Sequence, residues 1–371
     1  MLWHASARPP NRWMIRIPDS DRKGKNMLRF TKHIQIVIAI VFVFCLLFPR
    51  TARLEEPGDV RNTASSEKDT RIKKETAEIL VEKGGVLIPK GRWNIEPSIE
   101  YTYFSRNQIC ISGYTILEAI AIGTIQVEEI KRDIITGTLT ARYGLSDRLQ
   151  LDAKIPYLYR HDRLDHPAGT SAQPNERVVD DTGLGDIEGA LSYHAWLGKD
   201  WQPDVIVRVS GKTRTGRDPY GLKTENVDGQ TVYRELPTGT GHWSLSGGLT
   251  FVKASDPVVF FVTTNYYWNI KRDVGHGLGT VDPGDSFEYD LGLATALNEK
   301  ISLSLSFQNL ITSGTTQNSH KVPGSNSNVA STFLGASFRL SEKTSLFASV
   351  GVGLTEDSPD FSLKINLPIY F

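Results

Sequence analysis

The stretch that decides the fold is F-S-L-K-I-N-L-P-I-Y-F, from Phe361 to Phe371. Six apolar residues occupy its odd positions, and residues such as Lys364, Asn366 and Pro368 occupy its even positions. Successive side chains of a β-strand point to opposite faces, so this two-residue period gives an extended strand one apolar face. Its eleven residues are the length at which a tilted strand crosses a bilayer. The stretch predicts a transmembrane β-barrel, with a soluble all-β domain as the alternative.

Length and composition fit such a barrel. The chain has 371 residues, of which 39% are hydrophobic and 9% aromatic, and its mean hydropathy is -0.27. A membrane-spanning helix needs about 20 consecutive apolar residues, and the body of the chain contains no such run. A barrel with a polar lumen has this profile, because half of each strand faces water.

Charge and cysteine content exclude other classes. The formal net charge is zero, but the first 52 residues hold nine basic and two acidic residues, which leaves 33 basic and 40 acidic residues for the remainder. This balance does not predict nucleic-acid binding. No disulfide is expected, because Cys45 lies in an apolar run and Cys110 would be alone in a mature chain. Phe44 disfavours a lipid anchor on Cys45, since a small residue is usual at that position.

An apolar run at residues 34–48 predicts export. It is fifteen residues long, follows basic residues such as Arg29 and is followed by a short polar exit that ends at Ala52. A run of this length between such flanks is typical of a secretory signal and is short for a membrane span. We expect residues 1–52 to comprise an N-terminal extension and a cleavable signal peptide, with translation starting at Met27. An uncleaved anchor is the alternative.

Residues 53–91 are predicted to be a periplasmic linker. Residues 53–75 are charged and poor in large apolar side chains, which is typical of a flexible segment. The sequence E-T-A-E-I-L-V-E-K at residues 75–83 consists of helix formers, and the two glycines that follow can end a helix. We expect a short surface helix rather than a plug, which would need many more residues.

Two-residue alternation recurs over residues 92–371 and predicts an antiparallel up-and-down barrel. Short polar turns alternate strictly with long loops rich in Gly, Pro and Asn, as in barrels with turns in the periplasm and loops outside. Twelve strands are predicted at residues 92–112, 122–144, 148–161, 183–196, 203–214, 242–253, 258–270, 287–297, 301–311, 331–340, 344–354 and 361–371. The apolar segment 105–129 leaves room for another hairpin and fourteen strands.

Aromatic residues near the strand ends predict girdles at the two membrane interfaces. They are Trp93, Tyr101, Tyr103, Tyr143, Tyr157, Tyr159, Trp196, Trp201, Trp243, Tyr266, Tyr267, Trp268 and Phe371.

If the apolar face contacts lipid, the opposite face lines the lumen. The lumen-lining candidates on that face are Glu96, Glu100, Arg142, Asp152, Lys154, Asp186, Glu188, Arg208, Lys212, Glu288, Asp290, Arg339 and Lys364. Buried charges require partners, so one interpretation is an interior held together by ion pairs. The other is a solute path whose selectivity these charges set.

Two further patterns indicate no site. The sequence G-L-G-D-I-E-G at residues 183–189 lacks the spacing and the strand-loop-helix context of a nucleotide fingerprint. His161, Asp162, Asp165 and His166 lie on one predicted loop, where a solvated surface is the simpler interpretation than a metal site. We therefore expect no metal.

His242-Trp243-Ser244 is the enzymatic candidate. A His and a Ser two residues apart on one strand resemble the arrangement in outer-membrane phospholipase A, where imidazole can activate the hydroxyl. In that family the pair faces lipid. Here Trp243 and Leu245 take the lipid side, which turns His242 and Ser244 inward. We expect no enzyme and no cofactor, with a lipid hydrolase as an alternative.

Three segments resemble the outer-membrane barrels of the MetA-pathway of phenol degradation family. They are Y-G-L-S-D-R-L-Q-L at residues 143–151, G-L-G-D-I at residues 183–187 and K-T-R-T-G at residues 212–216, where the family usually has Pro in place of Arg214. The resemblance covers roughly residues 92–371. It implies an outer-membrane channel or transporter-like protein linked to the uptake of aromatic or hydrophobic compounds, with no catalytic residue.

The sequence thus predicts a Gram-negative outer-membrane barrel that passes small solutes, aromatic or hydrophobic ones among them, without covalent chemistry. The expected partners are outer-membrane lipid, a small-molecule solute and the barrel assembly machinery, which recognises final strands like the one that ends at Phe371. Twelve strands favour a narrow path over an open pore. The rival hypotheses are a lipid hydrolase and a non-conducting structural or adhesive barrel.

Overall fold

The computed structural model describes residues 73, 76–106, 129–165, 176–199, 202–227 and 230–371. The predicted signal peptide, the start at Met27, both cysteines, His166 and Trp201 lie outside the described residues. Within those ranges, no helix has the length and apolar character that crossing a membrane requires.

The elements are α1 (Ala77–Glu82), β1 (Trp93–Arg106), β2 (Glu129–Ser146), β3 (Leu149–Asp165), β4 (Glu176–Leu184), β5 (Glu188–Trp196), β6 (Asp204–Lys212), β7 (Thr224–Val227), β8 (Gln230–Tyr233), β9 (Ser244–Ser255), β10 (Val258–Asn269), β11 (Arg272–Asp273), β12 (Thr280–Asp282), β13 (Ser286–Ala296), β14 (Ile301–Thr312), β15 (Thr316–Gln317), β16 (His320–Lys321), β17 (Ser327–Arg339), β18 (Ser345–Gly353), β19 (Phe361–Asn366) and β20 (Ile369–Tyr370).

The main sheet is antiparallel and closes on itself. Its order is β19-β18-β17-β14-β13-β10-β9-β6-β5-β3-β2-β1-β20, with β4 also paired to β3. The barrel closes between β1 and β19, in a register that runs from Ser98 opposite Asn366 to Tyr103 opposite Phe361. Because β4 and β5 share one position around the sheet, as do β19 and β20, the barrel has twelve strand positions. The predicted twelve-stranded barrel is confirmed.

The fourteen-strand alternative is excluded by the pairing of β1 with β2. These strands are in direct register from Trp93 opposite Tyr143 to Arg106 opposite Ile130. An extra hairpin from residues 105–129 therefore has no place in the sheet between them. The segment 107–128 itself lies outside the described residues.

The connections follow the predicted alternation. Short turns join β2 to β3, β5 to β6, β9 to β10, β13 to β14 and β17 to β18 at one end of the barrel, called the turn end. Longer loops emerge at the opposite end, called the loop end. There, β11, β12, β15 and β16 from two successive loops form a small four-stranded sheet, and β7 pairs with β8.

Two predicted boundaries were wrong. The loop predicted at residues 162–182 is partly strand, because β3 continues to Asp165 and pairs with β4, which begins at Glu176. The last strand is interrupted between β19 and β20, where Pro368 has no backbone N–H to donate. The register against β1 continues across this break, from Asn366 opposite Ser98 to Ile369 opposite Ile95.

The two faces of the barrel differ as the alternation predicts. Large apolar side chains such as Ile99, Leu249 and Ile365 are exposed on the outer face, as expected of a surface that contacts lipid. Serine, threonine and charged side chains occupy the inner face, where many of them are buried. Tyr267, expected in the aromatic girdle, instead points inward and donates a hydrogen bond to Glu288 at 2.5 Å.

The turn end is filled by residues 76–90, a segment called the plug. Leu80 is completely buried against Val252, Val259 and Phe261 of the barrel wall. Ile79, also completely buried, packs with Ala294 and Phe347 of the barrel wall. The expectation of a surface helix was wrong, because a six-residue helix is enough to fill a barrel of this width when its apolar side chains meet the inner wall.

Polar contacts complete the seating of the plug. Glu82 accepts hydrogen bonds from Lys364 at 2.5 Å and Asn366 at 2.9 Å. Further along the plug, the backbone N–H of Ile88 donates to Gln150 Oε1 at 2.6 Å. The plug is thus bound to the barrel wall by apolar packing and by charged contacts.

Candidate functional site

The barrel encloses a cavity of about 450 Å³. Glu82 and Lys83 of the plug line it toward the turn end, and residues 238–240 of the loop between β6 and β9 line it toward the loop end. Strands from around the whole barrel supply the remaining wall. The cavity is therefore the interior space between two inserted segments.

The inserted loop, called the cap, consists of residues 236–242, all of which are buried. Its anchor is Asp186, which lies in the break between β4 and β5. Asp186 accepts hydrogen bonds from the backbone N–H of Gly216 at 3.0 Å, from the backbone N–H of Thr240 at 2.8 Å and from the Thr240 hydroxyl at 2.8 Å. Lys212 lies 3.3 Å from the same carboxylate and donates to Thr240 Oγ1 at 2.6 Å.

Glycine is required at Gly239, where the cap passes Asp186. A Cβ at this position would collide with Asp186 Oδ1 and with the backbone of Gly216. Thr238 holds the preceding turn by donating to the Leu184 carbonyl at 2.7 Å. The segments G-L-G-D-I and K-T-R-T-G, separate in the sequence, thus meet at one carboxylate that positions the cap. Arg214, where the family usually has Pro, is exposed on this connection.

A second anchor lies at His242. Its Nε2 is 2.6 Å from the Tyr220 hydroxyl and its Nδ1 is 3.0 Å from the Ile270 carbonyl oxygen. Arg272 stacks on the Tyr220 ring and donates to the Gly241 carbonyl at 2.6 Å. Burial lowers the pKa of His242 from its ordinary 6.5 to about 4, because the apolar surroundings disfavour the cation. The imidazole is therefore neutral at physiological pH.

The wall of the cavity is uneven in charge. Strands β14, β17 and β18 contribute mainly small hydroxyls and two aromatic rings, namely Ser304, Ser306, Ser331, Phe333, Phe347 and Ser349. The opposite wall is charged. The wall of the cavity with the fewest charges is therefore the serine-rich one.

The structure places the thirteen sequence candidates at two levels. Eight line the cavity, namely Glu100, Lys154, Asp186, Glu188, Lys212, Glu288, Asp290 and Lys364. The remaining five lie toward the turn end, around and below the plug, namely Glu96, Arg142, Asp152, Arg208 and Arg339.

Ion pairs and hydrogen bonds connect residues of the group at the turn end. Arg142 donates to Glu96 at 2.9 Å and to Asn94 at 2.8 Å, and all three side chains are buried. Arg208 is paired with the buried Asp152. These pairs fit the interpretation of a cross-braced interior, whereas the cavity-lining group also faces open space.

The alternative sites take other roles in the structure. Asp162 lies in β3 and binds the guanidinium groups of Arg132 and Arg160, while His161 contacts Asp180. No cluster of residues suited to a metal occurs in the described ranges. His242 and Ser244 both point inward as expected, but Ser244 donates to Asn269, and neither residue is hydrogen-bonded to the other through its side chain.

The most informative residues missed from the sequence are Lys83, Thr238 and Thr240. Lys83 contacts Asp290, 207 positions away in the chain, so no local pattern marks it. In the sequence, the cap residues have the composition of an ordinary polar loop. The sequence feature that could have identified them is the high proportion of small residues in L-P-T-G-T-G-H, which permits the backbone to approach the barrel wall closely.

Comparison with solved structures agrees with this fold. An outer membrane channel from Pseudomonas putida is similar with a TM-score of 0.55 and 14% identity, covering 77% of this chain and 97% of that one. The translocator domain of autotransporter NalP from Neisseria meningitidis has a TM-score of 0.42 and 11% identity over 83% of this chain and 95% of that one. The CymD monoaromatic hydrocarbon channel has a TM-score of 0.40 and 11% identity over 80% and 91%.

The comparison with family models covers most of the barrel. The model described as MetA-pathway of phenol degradation matches residues 119–367. This range contains the three motif segments, the cap and every barrel strand from β2 to β19. The chain belongs to the MetA-pathway of phenol degradation family.

Proposed function

We propose that the protein is a passive outer-membrane channel for small solutes, aromatic or hydrophobic ones among them. The observation that carries this function is the cavity of about 450 Å³ enclosed by the barrel between the cap and the plug. Its volume falls in the range of small-molecule sites, roughly 300 to 1,000 Å³. The family description, which refers to phenol degradation, supports an aromatic solute.

The lining suits solutes that combine an apolar body with a polar group. Leu310, Val329 and Phe333 offer apolar surface, and the serines beside them offer hydroxyl donors and acceptors. The loops gather the solute, the cap admits it, and the mixed charges of the lumen-lining candidates exclude solutes of the wrong charge or size. No covalent step is required.

The proposed location follows from the outer face. Exposed apolar side chains around the barrel match a lipid environment, and export would depend on the signal peptide at residues 1–52. Assembly would depend on recognition of the final strand through Phe371. Lipid and the assembly machinery are accordingly proposed partners.

A liposome assay tests the channel function. Purified protein reconstituted at known density should accelerate the entry of small charged aromatic solutes, the anion benzyl sulfate and the cation benzyltrimethylammonium, which cross lipid slowly on their own. A trisaccharide of the same concentration should be excluded by the narrow cavity. If a correctly folded barrel leaves the entry rate of every solute at the background value, a non-conducting structural role is supported instead.

The lipid-hydrolase alternative has its own assay. If the barrel released fatty acids from phospholipid vesicles and lost this activity on His242→Ala or Ser244→Ala, the channel would not be its main function. The hydrogen bonds of His242 to Tyr220 and Ile270 lead us to expect no such release.

A further inference from the structure

One cation of the plug occupies a site built by the barrel wall. Lys83 Nζ donates to Asp290 Oδ2 at 2.7 Å and to Ser306 Oγ at 3.1 Å. It also lies over the rings of Phe261 and Phe333, at 5.7 and 5.6 Å from their centroids. A carboxylate, a hydroxyl and two aromatic faces are the chemistry that recognises an ammonium group. These four wall residues are called the ammonium cage.

The cage belongs to the barrel and not to the plug. Asp290, Ser306, Phe261 and Phe333 lie on β13, β14, β10 and β17, four strands that are neighbours in the sheet. Gly292 leaves room for the Phe261 ring, since a Cβ there would collide with it. The register of the sheet therefore positions the cage whether or not Lys83 is present.

The Asp290 carboxylate of the cage is buried and requires a positively charged partner. The Asp290 side chain is only 10% exposed, and its Oδ1 has no hydrogen-bond donor among the described residues. Leaving a buried carboxylate unpaired is strongly unfavourable. Removal of Lys83 would therefore leave a site with a high affinity for another positive group, and Asp290 Oδ1 offers that group an additional acceptor.

The cage opens onto the cavity. Lys83, Asp290, Ser306 and Phe333 are all among the residues that line it, so a solute in the cavity can reach them. Glu288, two residues before Asp290 on the same strand face, also lines the cavity and adds negative charge nearby. Among the cations that face this space, Lys364 is paired with Glu82 and Lys212 with Asp186.

We propose that the ammonium cage is a binding site for solutes that carry a primary ammonium group on a small apolar body, and that Lys83 occupies it as an internal competitor. This inference deepens the proposed channel function by assigning a solute class to its cavity. A bound ammonium solute replaces the contacts of Lys83 with Asp290 and Ser306, while its apolar body occupies the adjoining cavity.

Calorimetry with the detergent-solubilised full chain tests the site. The probe is 2-phenylethylammonium chloride, and 2-phenylethanol is its neutral analogue of nearly equal shape. In Lys83→Met the resident cation is gone, so the affinity for the ammonium probe should rise by about tenfold over wild type. Adding Asp290→Asn to that variant should abolish the gain, and the neutral analogue should bind all three proteins equally.

Lys154→Met is the matched control. Lys154 also lines the cavity and its loss changes the charge equally, but it lies on β3, which is not one of the four neighbouring strands that build the cage. An equal gain in Lys154→Met, an equal gain for the neutral analogue, or no gain in Lys83→Met would overturn the proposal. If Lys83→Met fails to assemble, a variant lacking residues 53–85 vacates the cage by removing α1 together with Lys83, and it should show the same gain.

The assay separates this proposal from the channel function. Binding is measured without a membrane, so a protein that binds the probe but carries no solute contradicts only the channel. A protein that carries solutes but shows no gain in Lys83→Met contradicts only the ammonium site.

Discussion

Asp186 is the side chain on which the cap depends most. Asp186→Ala removes the acceptor for Gly216, for both donors of Thr240 and for Lys212, and takes the carboxylate away from the buried Lys212 ammonium group. We expect the cap to lose about 3 to 5 kcal/mol of docking free energy. Hydrogen exchange at residues 236–242 should accelerate strongly while exchange in the strands is unchanged.

The control for this prediction is Asp147→Ala in the exposed turn between β2 and β3. It removes the same charge at a position away from the cap. If the amides of the cap exchange as slowly in Asp186→Ala as in the control, other contacts hold the loop.

His242 should make the cap sensitive to acid. Its pKa is about 4 when the cap is docked and 6.5 in an exposed loop, so docking is fully stable above pH 6.5. As the pH falls from 6.5 toward 4, the undocked loop takes up a proton that the docked loop does not bind, and about 3 kcal/mol of docking free energy is lost.

Hydrogen exchange at pH 7.5 and 4.5, normalised to the intrinsic rates, measures this loss. His242→Gln should flatten the pH dependence, whereas His161→Gln, a change of a histidine outside the cap, should keep it. The same pH profile in both variants would assign the sensitivity to other groups.

We expect the plug to limit passage at the turn end, because its helix packs against the inner wall of the barrel there. A variant lacking residues 53–85 removes α1 with the packing of Ile79 and Leu80, and should carry small solutes several times faster than wild type in the liposome assay. A variant lacking only residues 53–72 keeps the plug and should carry them at the wild-type rate. Identical rates in all three proteins would show that the plug does not restrict the path.

The last strand should be sensitive to charge on its outer face. Ile365→Asp places a carboxylate among exposed apolar side chains opposite Ile99, at a cost of about 2 kcal/mol in lipid. We expect less folded protein in the outer membrane, and the same on deletion of Phe371. Ser341→Asp in an exposed turn is the control, and wild-type levels of both test variants would show that the strand's role in assembly is misassigned.

For the whole molecule, local patterns predicted the fold and long-range contacts decided the interior. Alternation as in β14 and β19 needs only neighbouring residues, so strands and turns were recognisable. The plug was misassigned because its short helix was expected to be too small to fill a barrel, and only the closed barrel shows that Leu80 meets Phe261. The cap was missed for the same reason, since Asp186 and Thr240 are 54 positions apart in the chain, with β5 to β8 between them.

Single-channel recording in a planar bilayer tests the central claim that the closed barrel contains a narrow, restricted path. Wild-type protein that migrates as a folded, heat-modifiable barrel should give small conductance steps, and the variant lacking residues 53–85 should give larger ones. No steps from either protein, at a density where folded barrel is demonstrably inserted, would contradict the account.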